Sequence, residues 1–119
     1  MAVIRAVTIP PGESTGWHYH PAVVRAVVLS GLLTRVLEDG TVETTGPGQS
    51  LVEVPRQCHI GHNVGPDPVV LLANYQTPDG GPLAVPAAPT ERGAAAELGM
   101  LAQMLSDRCI TSGFLDHAG

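Results

Sequence analysis

The sequence predicts an all-β domain of short antiparallel strands, closed by one C-terminal helix. Three observations predict it. Short runs rich in Val, Leu and Ile recur along residues 2–75, and Gly/Pro or Asp-Gly turns separate almost every pair. Gly (14) and Pro (11) are spread over the chain rather than gathered in one tract, as many tight turns require. Only after residue 90 do the apolar positions move to steps of three and four, the period of a helix.

The elements follow in order. Residues 2–9 (AVIRAVTI) read as a strand closed by Pro10-Pro11-Gly12, and the short alternating stretch 16–20 (GWHYH) ends at Pro21. Residues 23–29 (VVRAVVL) are strongly β-branched and turn at Ser30-Gly31. The runs 32–38 and 41–45 flank Asp39-Gly40, a pair suited to the left-handed φ of a two-residue hairpin turn. Gly46-Pro47-Gly48 precedes the strand 50–54, and 58–64 and 69–75 complete about eight strands, which points to a sandwich or closed barrel. Residues 77–89 are a Pro/Gly/Ala linker expected to wander over the surface. Thr90 then caps a helix with Ala94, Leu98, Leu101, Leu105 and Cys109 on one face. Gly99 costs that helix about 1 kcal/mol relative to Ala, so packing on the barrel or on a partner subunit must hold it.

The 119 residues allow one domain, divided here as strands 1–80 and a linker, helix and tail 81–119. Hydrophobic residues make up 44% and charged residues 14%, so the chain can bury a core; with aromatics at 3%, aliphatic side chains must fill it. A net charge of −5 and only six scattered Lys and Arg argue against nucleic acid as a partner. No apolar run reaches membrane-spanning length, and the N-terminus does not read as a signal peptide. Cys58 and Cys109 lack a C-x-x-C spacing, which favours reduced thiols and a cytoplasmic setting. The Ala/Gly/Pro/Val/Arg bias suits a GC-rich bacterial genome.

Chemistry concentrates on the histidines. His18 and His20 are two apart in a strand, so both imidazoles face one side of the sheet, while Trp17 and Tyr19 face the other. Gly12 precedes His18 with five residues between them, and Gly31 follows Val24 by seven positions. A second block reads Gly48-QSLVE-Val54, PRQC, then His59-IGH-Asn63.

These two blocks, across roughly residues 10–80, resemble the paired motifs of the cupin superfamily. The resemblance implies a single-domain double-stranded β-helix, or jelly-roll, barrel. It carries the family's metal-binding histidines onto His18, His20 and His59, and its turn-forming Asn onto Asn63. The position that holds Glu in the family is Val24 here, or Arg25 with the longer spacing, so the usual carboxylate ligand is missing. Val54 and Arg56 occupy the Pro and second Gly positions of the second motif.

Three neutral imidazoles suit a divalent Fe, Zn, Ni, Mn or Cu ion. Without the Glu, the expectation is an ion that keeps its full +2 charge beside an apolar wall made by Val24. Val24, Arg25, His62 and Tyr75 are the candidate pocket residues. Alternation turns His62 away from His59 and makes Arg25 a surface charge unless the register shifts by one. Tyr75 can line the barrel mouth, Cys58 packs outward as a small hydrophobe, and Glu53 is either a surface group or a charge near the rim. The function implied is a metal-dependent enzyme on a small organic molecule (an oxygenase, isomerase, cyclase or lyase). The alternative is a non-catalytic module that binds a small ligand or metal. A homodimer assembled through the C-terminal helix is expected.

Overall fold

The computed structural model describes residues 2–78 and 80–111, with side chains as far as Asp107. The tail 112–119 and the Cys109 side chain lie outside the described residues. The strands are β1 (Ala2–Ile9), β2 (His18–Tyr19), β3 (Val24–Ser30), β4 (Leu33–Leu37), β5 (Val42–Thr45), β6 (Ser50–Glu53), β7 (His59–His62), β8 (Val69–Gln76) and β9 (Val85–Pro86), followed by helix α1 (Glu91–Thr111). They form two antiparallel sheets, β1-β8-β3-β6 and β5-β4-β7-β2-β9. Among the described residues no ladder joins the two sheets into a closed cylinder. No described helix is long and apolar enough to cross a membrane.

Alternation along the strands builds the interior. Val24, Ala26 and Val28 of β3, Val69 and Ala73 of β8, Leu51 of β6, Leu33 of β4 and Ile9 of β1 bury one face of each strand in a common core. Turn chemistry sets how the strands meet. Gly31 has φ +79°, and a Cβ there would stand 2.3 Å from the Pro68 carbonyl oxygen, so only glycine lets the two turns touch. Asn63 is buried and acts as the turn residue expected of it. Its Nδ2 donates to the carbonyls of Ile9 and Asp67 at 2.8 Å, and its Oδ1 accepts from the Gly65 N–H at 3.1 Å.

Two segments differ from the sequence reading. Part of the expected surface linker, residues 85–86, pairs with β2 as an edge strand, because the linker passes beside an otherwise open sheet edge. The helix forms where expected, with the Thr90 Oγ1 accepting from the Gly93 N–H at 3.0 Å as its cap, but it docks by another face. Gly93 is buried against Trp17, and Glu97 accepts from Trp17 Nε1 at 3.0 Å. Of the predicted stripe, Leu98 is therefore 69% and Leu105 57% exposed, while Ala94 and Leu101 are half-buried.

Candidate metal centre

His18 sits directly opposite His59 in the β2–β7 register, and His20 follows β2 by one residue. The three rings gather with centroids 4.3–5.1 Å apart, and one nitrogen from each lies within 4.8 Å of the others. His20 and His59 are buried, and His18 is half-buried at the edge.

The backbone decides which nitrogen each ring presents. His18 Nδ1 lies 2.8 Å from the Gly16 carbonyl, His20 Nδ1 2.8 Å from that of Leu83, and His59 Nδ1 3.0 Å from that of Gln57. A carbonyl only accepts, so each Nδ1 carries the proton and each Nε2 keeps a lone pair. Leu83 belongs to the Pro/Gly/Ala segment, so that segment orients a site residue as well as adding β9. The Nε2 atoms of His20 and His59 are buried without a hydrogen-bond partner. Three lone pairs from rings oriented by carbonyls are the donor set a divalent transition metal takes, so these residues fit such an ion.

The structure corrects the expectation of a site without a carboxylate. Val24 is inward and 1% exposed, as an apolar wall should be, but its register partner across β3–β6 is Glu53. A carboxylate therefore stands beside the histidines, from the strand next to position 24 rather than at it. Glu53 reaches from its own sheet to the opposite one, with Oε1 3.2 Å from His20 Nε2, Oε2 2.6 Å from His59 Nε2 and Oε2 3.4 Å from Arg35 Nη1. Glu53 thus stands against the same two Nε2 atoms that would face a cation, and in the absence of an ion it faces those rings itself. Burial pushes the Glu53 carboxyl up, but its contacts with His20 and His59 and their charges push it further down, so it stays well below the usual carboxylate range. His18 is lowered, by burial first and by the other two histidines as well, despite the opposing Gly16 contact. For His20, burial acts downward but the Glu53 and Leu83 contacts outweigh it and raise the ring. With Glu53 beside the site, an ion there would not keep its full +2 charge.

Of the other candidates, Tyr75 lines the same interior cavity, its ring 5.7 Å from that of His20, and burial followed by the Glu53 charge raises its hydroxyl. Arg25 is exposed on the outer face of β3, since Val24 and Ala26 hold the inward positions. His62 also lies outside the cavity: its Nε2 is 2.6 Å from Glu97 Oε2, so it ties β7 to α1. Cys58 is half-buried, and burial with the nearby Glu38 charge raises its thiol, which disfavours the reactive thiolate.

Two residues escaped the sequence reading although their signal was present. Glu53 stands two after the buried Leu51, and Arg35 stands between the inward Leu33 and Leu37; both are charges on the apolar face of a strand. The cavity they share with His18, His59 and Tyr75 is small and enclosed, about 60 Å³. A larger open groove of about 540 Å³ lies outside, between α1 and β4–β5, where Val42, Met100 and Met104 line it and none of His18, His20 and His59 does.

Residues 5–75 match the cupin domain family, over the same span that carries the two histidine blocks. The chain belongs to the cupin family. Solved structures agree on the fold. A protein with a double-stranded β-helix domain from Klebsiella pneumoniae is 26% identical, with a TM-score of 0.56, over 61% of this chain and 64% of that one. The polyketide cyclase RemF from Streptomyces resistomycificus is 24% identical, with a TM-score of 0.63, over 77% of this chain and 64% of that one. The oxalate decarboxylase of Bacillus subtilis, described with Mn(II) centres, is 23% identical, with a TM-score of 0.61, over 71% of this chain and 23% of that one. This cupin therefore spans less than two thirds of the length of each. No curated protein gives a significant match.

Proposed function

We propose that this cupin is a metal-dependent enzyme acting on a small organic molecule inside the barrel. The observation that carries the reading is the set of three Nδ1–carbonyl contacts, which leave the remaining nitrogens of His18, His20 and His59 converging beside Glu53. His18, His20 and His59 are the proposed ligands, and Glu53 is the proposed fourth ligand or counter-charge. A divalent ion bound there supplies Lewis acidity to an oxygen of the substrate. Glu53, whose oxygens lie beside the His20 and His59 Nε2 atoms, would bind or neutralise the ion. Tyr75 brings a hydroxyl to the same cavity that burial and Glu53 keep protonated, and so able to donate a hydrogen bond. This donor set does not choose among oxygenase, isomerase, cyclase and lyase chemistry; an oxalate oxidase, a decarboxylase and a cyclase all occur among structures of this fold.

Elemental analysis of the purified protein tests the reading. Wild type should carry about one divalent ion per chain, His59→Ala should lose most of it, and His62→Ala should retain it, because His62 faces α1. Equal retention in both variants would overturn the metal centre and leave a ligand-binding module without a metal.

We also propose that two copies associate through α1. The Leu98 and Leu105 positions stand on a stripe that the chain's own barrel does not cover, and a two-fold axis would bury that stripe against its equivalent. Leu98→Glu with Leu105→Glu should convert the dimer to a monomer by light scattering; an unchanged mass would remove α1 as the interface.

A further inference from the structure

Among the described residues none of α1 lines the interior cavity, yet polar contacts of this helix fall on the two strands that carry His18 and His59. The ladder between those strands is short. β2 is two residues long, and its register with β7 is the single pair His18–His59. Just upstream, the Thr15 N–H donates to the Gly61 carbonyl at 2.9 Å, and Thr15 Oγ1 accepts from the Gly61 N–H at 3.0 Å. A ladder of this length fixes which residues face each other but restrains their spacing and twist weakly.

Side chains on the outer face add the missing restraint. Trp17 precedes His18 and His62 follows His59 by three, and both turn toward α1, where Glu97 joins them. Glu97 Oε1 accepts from Trp17 Nε1 at 3.0 Å, and Oε2 lies 2.6 Å from His62 Nε2. The His62 and Glu97 side chains are only 12% and 20% exposed, so water competes little for this bridge. One turn earlier on the helix, Gly93 makes room for the indole, since a Cβ there would stand 2.6 Å from Trp17 Cη2. Positions four apart share a helix face, so α1 receives the ring at Gly93 and its N–H at Glu97. We infer that Glu97 is a positioning residue of the metal centre: from outside the sheet it holds β2 and β7 at the spacing that lets His18 and His59 meet one ion. The inference rests on the metal reading above and adds to it a residue that acts through Trp17 and His62 without touching the site. When the bridge is lost, β2 visits arrangements in which His18 is out of place, and apparent metal affinity falls with the fraction of molecules still competent.

The test is the zinc affinity of the full chain, measured by competition with a chromophoric chelator at neutral pH, with a metal-free melting curve for each sample. Wild type should bind about one zinc ion per chain. Glu97→Ala should keep that stoichiometry but bind about tenfold more weakly, the scale of loss when an outer support of a metal ligand is removed. Glu97→Gln discards the charge but keeps an acceptor for Trp17 and an amide N–H for His62, so it should stay within about threefold of wild type. Trp17→Phe keeps a ring against Gly93 and loses only the Nε1 donor. It should also weaken zinc binding, and adding it to Glu97→Ala should cost little more, because both remove the same bridge. If Glu97→Ala fails to fold by its melting curve, Trp17→Phe against wild type carries the comparison. Leu101→Ala, at a half-buried position of the same helix, should lower Tm and leave zinc affinity unchanged. Unchanged affinity in Glu97→Ala, or an equal loss in Leu101→Ala, would overturn the positioning role and leave Glu97 a contact that only docks the helix. Glu97→Gln as weak as Glu97→Ala would overturn it in favour of a long-range effect of charge. Wild type that binds no zinc would overturn the metal reading itself, an outcome read before any variant is compared.

Discussion

Glu53→Gln isolates the charge that links the two sheets at the site. The substitution keeps the side-chain shape and removes only the ionised oxygen, which lies 2.6 Å from His59 and 3.4 Å from Arg35 while the side chain is 13% exposed. At 3.4 Å and an effective dielectric constant near 20, opposite unit charges attract by about 5 kcal/mol. Desolvation of both groups offsets much of this. Glu43 still neutralises Arg35 in the variant, so the net loss falls to about 2–3 kcal/mol, below the about 3–5 kcal/mol of a fully orphaned buried charge. For 119 residues each kcal/mol is worth roughly 4 °C of Tm, so the metal-free variant should melt about 10 °C below metal-free wild type by calorimetry at neutral pH. The carboxyl's own pH dependence has a fixed sign. Because the folded-state Glu53 carboxyl lies below its unfolded value, its contribution is complete above the ordinary carboxylate range of about 4.3 and shrinks as pH falls through that range toward the folded value. Because Glu53 also raises His20, the gap should grow as pH falls through the histidine range and narrow only as pH falls below the ordinary carboxylate range toward the folded Glu53 value. Arg35→Met with Glu53→Gln should cost less than the two single changes added together, since each removes part of one network. A variant that melts within about 2 °C of wild type, or a gap that fails to narrow below about pH 4, would refute the account of Glu53 as a buried ionised bridge.

Two further outcomes follow from the backbone and the register. Val24→Glu should destabilise the fold by setting a second carboxylate opposite Glu53, whereas Val24→Glu with Glu53→Val should recover stability and still hold metal by elemental analysis; loss of metal in the exchanged pair would mean that the carboxylate must come from β6. Arg56 holds φ +65° where the family motif has glycine, and its N–H donates to the His20 carbonyl at 2.8 Å. Arg56→Gly should relieve about 1 kcal/mol of strain and raise Tm by about 2–4 °C. A lower Tm would show that the Arg56 side chain contributes more than its backbone costs.

The sequence by itself determined the features that depend on local period. Two-residue spacing put His18 and His20 on one side of a strand, Asp39-Gly40 made a hairpin, and Thr90 began a helix, because each is settled by neighbours along the chain. Alternation likewise kept Arg25 out of the cavity and turned His62 away from His59. What only the tertiary structure decided are the contacts between elements far apart in sequence. Alternation places Glu53 inward on β6, but its meeting with His20, His59 and Arg35 comes from one sheet folding over the other, which no period encodes. The same holds for α1. Its apolar stripe was legible, yet the face that docks was set by Trp17 against Gly93 and by Glu97 bridging Trp17 and His62, a polar and steric match that outweighed the leucines. Hydrophobic pattern says which side chains can be buried; the shape and charge of the opposing surface choose which of them are.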